Sequence, residues 1–129
     1  MIEFDRLWDD IITYDLHSRC KYHELRTYFP EANGCGAKGG KKFPDSFLFV
    51  SIIAACIIHD IEWFLAESYR DLLDANERFD NNLKRITDQK SMNSFMRWAR
   101  RQMISYYISG VELVGIDEYA IKKGIPIVK

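Results

Sequence analysis

"SIIAACIIHDIEWFLAESYRDLLDANERFDNNLKRI", residues 51–86, decides the fold. Its first part is an apolar run with His59-Asp60 set inside it. Its second part places Leu72, Phe79, Leu83 and Ile86 along one side of a helix. Helical periodicity of this kind marks buried or half-buried helices. The spacing predicts a helix over 47–66, with Asp45 or Ser46 as its cap, a break at Glu67-Ser68, and a second helix over 69–87. At about 100° per residue, His59 shares its face with Ile52, Ala55, Cys56, Trp63 and Ala66, so it points inward. Asn76 falls about 40° from Leu72, inside the second helix's apolar stripe, and Asp80 about 80° away, at its border. Asp74, about 200° away, faces solvent. If the two helices pack antiparallel, Asn76 or Asp80 is the partner the second helix offers His59.

Working outward, Phe4, Leu7, Trp8, Ile11, Ile12 and Leu16 give the N-terminal segment one apolar helical face. A long loop follows, with a short helix expected around Tyr22 to Tyr28. This loop contains "NGCGAKGG", residues 33–40, which holds four of the seven glycines. Loops this long in a small domain are more often functional than idle. Downstream, a third helix is expected over 91–109, with Ser91 as its cap and Gly110 at its end. The tail reads as a short helix plus an extended end. The expected fold is all-α and a single domain over 1–129. Two long antiparallel helices bear the His-Asp site, joined by an N-terminal helix, a glycine-rich loop and a third helix.

The chain is 47% hydrophobic and 29% charged, with 18 basic and 19 acidic residues, so no polycation advertises nucleic-acid binding. No apolar stretch reaches the ~18 residues of a spanning helix. The N-terminus lacks the basic start and apolar centre of a secretory signal. The expectation is a protein cytoplasmic in the producing cell or associated with a virion. Three cysteines are too few for a disulfide framework, and the odd number leaves one unpaired.

The glycine loop with its cysteine, then "ACIIHD" (residues 55–60), then Ala75-Asn76 three residues before Phe79, resembles the phospholipase A2 superfamily, its prokaryotic and phage-type members most of all. A related, uncharacterised group of phage-type proteins shows a similar pattern. The likeness spans Asn33 to Leu83. It implies that His59 is the general base to a water attacking a phospholipid ester, and that Asp60 is a calcium ligand. It also implies loop carbonyls from Gly34, Gly36 and either Lys38 or Gly39 on the same calcium, and the Gly36 N–H on the oxyanion. A carboxylate on the second helix orients the histidine in that family; here Asn76 aligns, with Asp80 as the nearby acid. The family's disulfide falls on Cys35 and Cys56, leaving Cys20 odd. The residue types suit the chemistry. Calcium takes six to eight oxygens, glycine lets carbonyls converge, and histidine titrates near neutrality.

Two residues depart from the family pattern. Trp63 stands where a tyrosine is usual, and an indole donates but does not accept. Asn76 stands where an aspartate is usual, and an amide does not stabilise an imidazolium. In Ser-His-Asp enzymes that swap costs about 10⁴ in rate. Three readings of function follow: a calcium-dependent phospholipid esterase; a catalytically inactive relative that binds a host or virion protein; and a nucleic-acid-binding module using Arg97, Arg100 and Arg101 with nearby aromatics. Each motif also has an ordinary structural meaning: a hydrogen-bonded core histidine, a turn-rich loop, two small buried cysteines and a helix that solvates its charges. Oligomeric state is not encoded in any of these features.

Overall fold

The computed structural model describes residues 3–32, 46–47, 50–90, 93–110 and 115–128. The fold is all-α. Among the described residues six helices run in order: α1 (Phe4–Tyr14), α2 (Tyr22–Tyr28), α3 (Ile53–Leu65), α4 (Tyr69–Lys90), α5 (Ser94–Gly110) and α6 (Ile116–Lys123). A single 3₁₀ turn, Phe29–Glu31, follows α2.

The helix expected from residue 47 begins at Ile53 instead. Ser46–Phe47 and Val50–Ser51 pair as a short antiparallel ladder, Ser46 opposite Ser51 and Phe47 opposite Val50. An apolar run rich in Phe, Val and Ile satisfies strand and helix alike, so periodicity does not separate them. Asp45 lies outside the described residues, and Ser46 sits in the ladder, ahead of the helix start at Ile53. Ser91 also lies outside them. The start of α5 is held by Asn93, whose Oδ1 accepts the Met96 N–H at 2.8 Å.

Helix α3 is buried on nearly every side, from Ala54 through Ile58 to Ile61, as a sequence apolar apart from His59, Asp60 and Glu62 demands. Helix α4 is amphipathic. Leu72, Asn76, Phe79, Leu83 and Ile86 are buried at alternating four- and three-residue steps, while Arg70–Asp74 and Lys84–Asp80 pair on the outer side. Between them, Ser68 Oγ accepts the Asp71 N–H at 3.1 Å and Asp71 Oδ2 accepts the Glu67 N–H at 3.0 Å. This reciprocal cap starts α4 three residues after α3 stops, so the two helices fold back on each other.

Helix α1 buries Leu7 and Ile11. It ends at Asp15 in the left-handed region (φ 54), with the Leu16 N–H closing on the Ile11 carbonyl at 2.9 Å. The following segment is tied to α4 by a two-way bond. The His17 N–H donates to Asn82 Oδ1 and Asn82 Nδ2 donates to the His17 carbonyl, both at 2.8 Å. The main core joins α1, α3, the later part of α4 and α5 through Leu7, Ile58, Phe79, Leu83, Ile86 and Ile104. A separate small cluster, Ala66, Tyr69, Leu72, Ile116, Ala120 and Ile125, holds α6. Among the described residues, no helix is long and apolar enough to cross a membrane.

Candidate functional site

The facing turns of α3 and α4 bring His59 and Asn76 together. His59 Nε2 lies 2.7 Å from Asn76 Oδ1. An amide oxygen only accepts, so Nε2 carries the proton and the lone pair resides on Nδ1. The ring is 7% exposed. It stacks on Phe79 at 4.4 Å between centroids with 22° between planes, and meets Trp63 at 4.7 Å and 48°. Burial pushes the imidazole pKa down to about 4, against a smaller opposing effect of the Asn76 bond. The ring is therefore neutral at pH 7.

Asp80, the other side chain that the sequence offers to His59, pairs with Lys84 at 3.1 Å. Asp60 is half-buried beside α6. Burial first, and then its negative charge, push the Tyr119 hydroxyl up to about 12. Among the described residues, Trp63 Nε1 and Asn76 Nδ2 are buried donors without a hydrogen-bond partner. Both belong to residues that touch the imidazole. Such orphaned donors are uncommon and costly, about 1–3 kcal/mol each.

Cys56 is disulfide-bonded, and its Sγ lies 3.8 Å from the Tyr107 hydroxyl oxygen. Cys20 is a buried free thiol, its pKa pushed up by burial and then by the charge of Glu62. Gly34, Cys35, Gly36, Lys38 and Gly39 lie outside the described residues. Among those described, no group of three or more His, Cys, Asp or Glu side chains is arranged to hold a metal ion.

Two features near the site were not anticipated from the sequence. Glu62, one turn beyond His59, is 1% exposed, and its Oε1 accepts from Arg78 Nε and Nη2, both at 2.5 Å. Burial raises the Glu62 pKa, and the Arg78 guanidinium opposes the shift. The signal was an acid inside an otherwise apolar run. The second is Lys123, whose ammonium donates to the carbonyls of Trp63 and Ala66, each at 3.3 Å, and to that of Phe64. Arg19 Nη2 donates to the Leu65 carbonyl at 3.3 Å. Two cations thus satisfy the open carbonyl end of α3, in place of a glycine cap.

The basic residues of α5 are largely committed to the fold. Arg100 is buried, and Arg101 pairs with Asp88. The outward face of α5 instead shows Phe95, Trp98 and Tyr106, which are 60–73% exposed. Comparison of the chain with protein-family profiles, curated proteins and solved structures finds no match.

Proposed function

We propose that the chain is a phospholipase A2-type ester hydrolase in which His59 is the general base and Asn76 orients it. The observation that carries this reading is the 2.7 Å bond from His59 Nε2 to Asn76 Oδ1. It fixes the tautomer whose Nδ1 accepts a proton from water. In the step, Nδ1 takes the water proton as the oxygen adds to the ester carbonyl. The tetrahedral intermediate then breaks its bond to the alcohol oxygen, and the imidazolium returns the proton to that leaving group. Because Asn76 is neutral, the imidazolium gains a dipole where a carboxylate supplies a charge. A pKa of about 4 makes Nδ1 a weak base. Slow turnover is the expected outcome.

The resemblance to phospholipases A2 also implies calcium. Asp60, next to His59 and partly open, fits as a hard oxygen ligand; the other ligands on this reading, Gly34, Gly36 and Lys38 or Gly39, lie outside the described residues. When bound, the ion supplies Lewis-acid stabilisation of the developing oxyanion.

A second reading rests on a specific observation. His59 sits between Phe79 and Trp63 as a packed aromatic would. This suits a scaffold without chemistry that binds a host or virion protein, and the exposed Phe95, Trp98 and Tyr106 supply aromatic anchors. Nucleic-acid binding is the weakest reading, because Arg100 is buried and Arg101 is paired with Asp88, which leaves Arg97 as the exposed cation of the three.

Fatty-acid release from mixed phospholipid micelles, with calcium or chelator, tests the choice. The intact chain, His59→Ala and Asp60→Asn are compared. Release that needs calcium, His59 and Asp60 supports the hydrolase. Release equal in all three variants, with a melting temperature unmoved by calcium, supports the scaffold.

A further inference from the structure

Helix α6 supplies no group to the chemistry above, yet it packs against the site at Trp63 and lies beside Asp60. Trp63 lies between two rings: His59 at 4.7 Å on one side and Tyr119 of α6 at 4.8 Å on the other. A Cβ added at Gly115, where α6 begins, would sit 3.7 Å from Trp63 Cη2. The Lys123 ammonium, at the far end of α6, bonds the backbone carbonyl of Trp63 itself along with those of Phe64 and Ala66. It also lies over the rings of Phe64 and Tyr119, at 5.4 and 5.8 Å from their centroids. A further anchor is polar: the Tyr69 hydroxyl donates to Asp117 Oδ1 at 2.7 Å.

We propose that α6 is a releasable latch, with Tyr119 and Lys123 acting as positioning residues that hold Trp63 against His59. Three observations make the latch releasable. Helix α6 spans 8 residues, too few to persist as a helix without docking. Its apolar contacts form a cluster separate from the main core. Its outward side shows Ile121, which is 69% exposed. Elements with few buried contacts open locally while the core stays folded. When α6 lifts, Trp63 loses both its stacking partner and the ammonium fixed to its own carbonyl. The buried indole N–H then reaches water, and so does the imidazole ring beneath it. The consequence for turnover rests on the hydrolase reading; the latch itself does not.

The test uses the full chain with Trp8→Phe and Trp98→Phe, which leaves Trp63 as the reporter among the three tryptophans. Into it are placed Lys123→Met, which keeps the length and removes the ammonium, and Tyr119→Ala. Acrylamide quenching of Trp63 and diethylpyrocarbonate modification of His59, mapped by peptide, are followed with far-ultraviolet circular dichroism as a folding control. The expected result is a rise of at least about threefold in both quenching and modification, with helicity otherwise retained. Unchanged quenching and modification in folded variants overturn the proposal, because Trp63 would then be held by the core. If the variants do not fold, hydrogen exchange on the unmodified chain decides. Exchange of the Trp63 indole N–H together with the α6 amides, faster than the α3 and α4 amides, supports the latch. Exchange of α6 at the core rate overturns it. Neither readout depends on ester cleavage, so failure of the hydrolase reading and failure of the latch are told apart.

Discussion

A neutral histidine buried among rings should make the protein acid-sensitive by a calculable amount. His59 titrates at about 4 in the folded chain against an ordinary 6.5. Because the folded value is depressed, the unfolded chain takes up the proton first as pH falls. Stability from this group is fully present above pH 6.5 and drains away between 6.5 and 4. Below 4 both states are protonated and the loss levels off, at about 3 kcal/mol. At pH 5 the loss relative to pH 7 is about 2 kcal/mol. His59→Gln removes the titrating group and keeps a polar side chain facing Asn76. Urea unfolding at pH 7 and pH 5 is then measured for both proteins. The difference in unfolding free energy between them should change by about 2 kcal/mol in favour of the variant at the lower pH. Comparing the two proteins cancels the other titrating groups. Parallel profiles, within about 0.5 kcal/mol, would refute the reasoning: His59 would be solvated or paired with a charge, and the burial argument would fall.

The same geometry predicts other outcomes. Asn76→Asp places a carboxylate on Nε2, so the His59 pKa should rise by about 1–3 units, read by NMR titration. If His59 is the base, ester cleavage should rise with it. Arg78→Met leaves Glu62 buried without its partner, and should cost about 2–3 kcal/mol at pH 7 after allowance for the partial exposure of Arg78. Because the Glu62 pKa is raised, that cost should shrink as pH falls and the acid becomes neutral, seen as convergence of the urea midpoints at low pH. Asn82→Ala removes both bonds to the His17 backbone from a fully buried position. It should lower stability by about 2–3 kcal/mol and loosen the segment between α1 and α2 in hydrogen exchange.

Much of this fold was legible because its helices carry strong patterns. The Phe4, Leu7, Trp8, Ile11 spacing gave α1. Leu72, Phe79, Leu83 and Ile86 marked α4 and put Asn76 inside its stripe, with Asn76 and Asp80 both open as partners of His59. The start of α3 was not legible, since "FLFVS" (residues 47–51) suits a ladder as well as a helix turn, and only the pairing partner decides. Glu62 was hidden for a different reason. A wheel shows that it points inward but not that Arg78, two positions past Asn76, reaches round to meet it. The choice of Asn76 over Asp80 followed the same limit. The two differ by about 40° on the helix, and the outcome was set by Lys84 one turn further on, which holds the acid outside. Lys123 was the hardest to foresee. Its role depends on where α6 docks, and that rests on a small cluster drawn from two distant stretches of the chain, 66–72 and 116–125.

The site carries a tension that follows from how it is built. The contacts that orient His59 are also the ones that weaken it. Phe79 and Trp63 fix the ring plane but also bury it and exclude the water that would favour a proton on Nδ1, and the Asn76 bond, which fixes the tautomer, offsets only a small part of that burial. An imidazole with a pKa near 4 is in the right protonation state at pH 7 and has little drive to accept a proton. Two changes relieve this without disturbing the main core: a negative charge on the Asn76 side, or water on the Trp63 side. The first requires a change of sequence. The second needs only that α6 lift, since Trp63 is clamped from outside by Tyr119 and Lys123. On the latch proposal, the base strength of His59 is tied to the docking of a helix that offers the imidazole no group of its own.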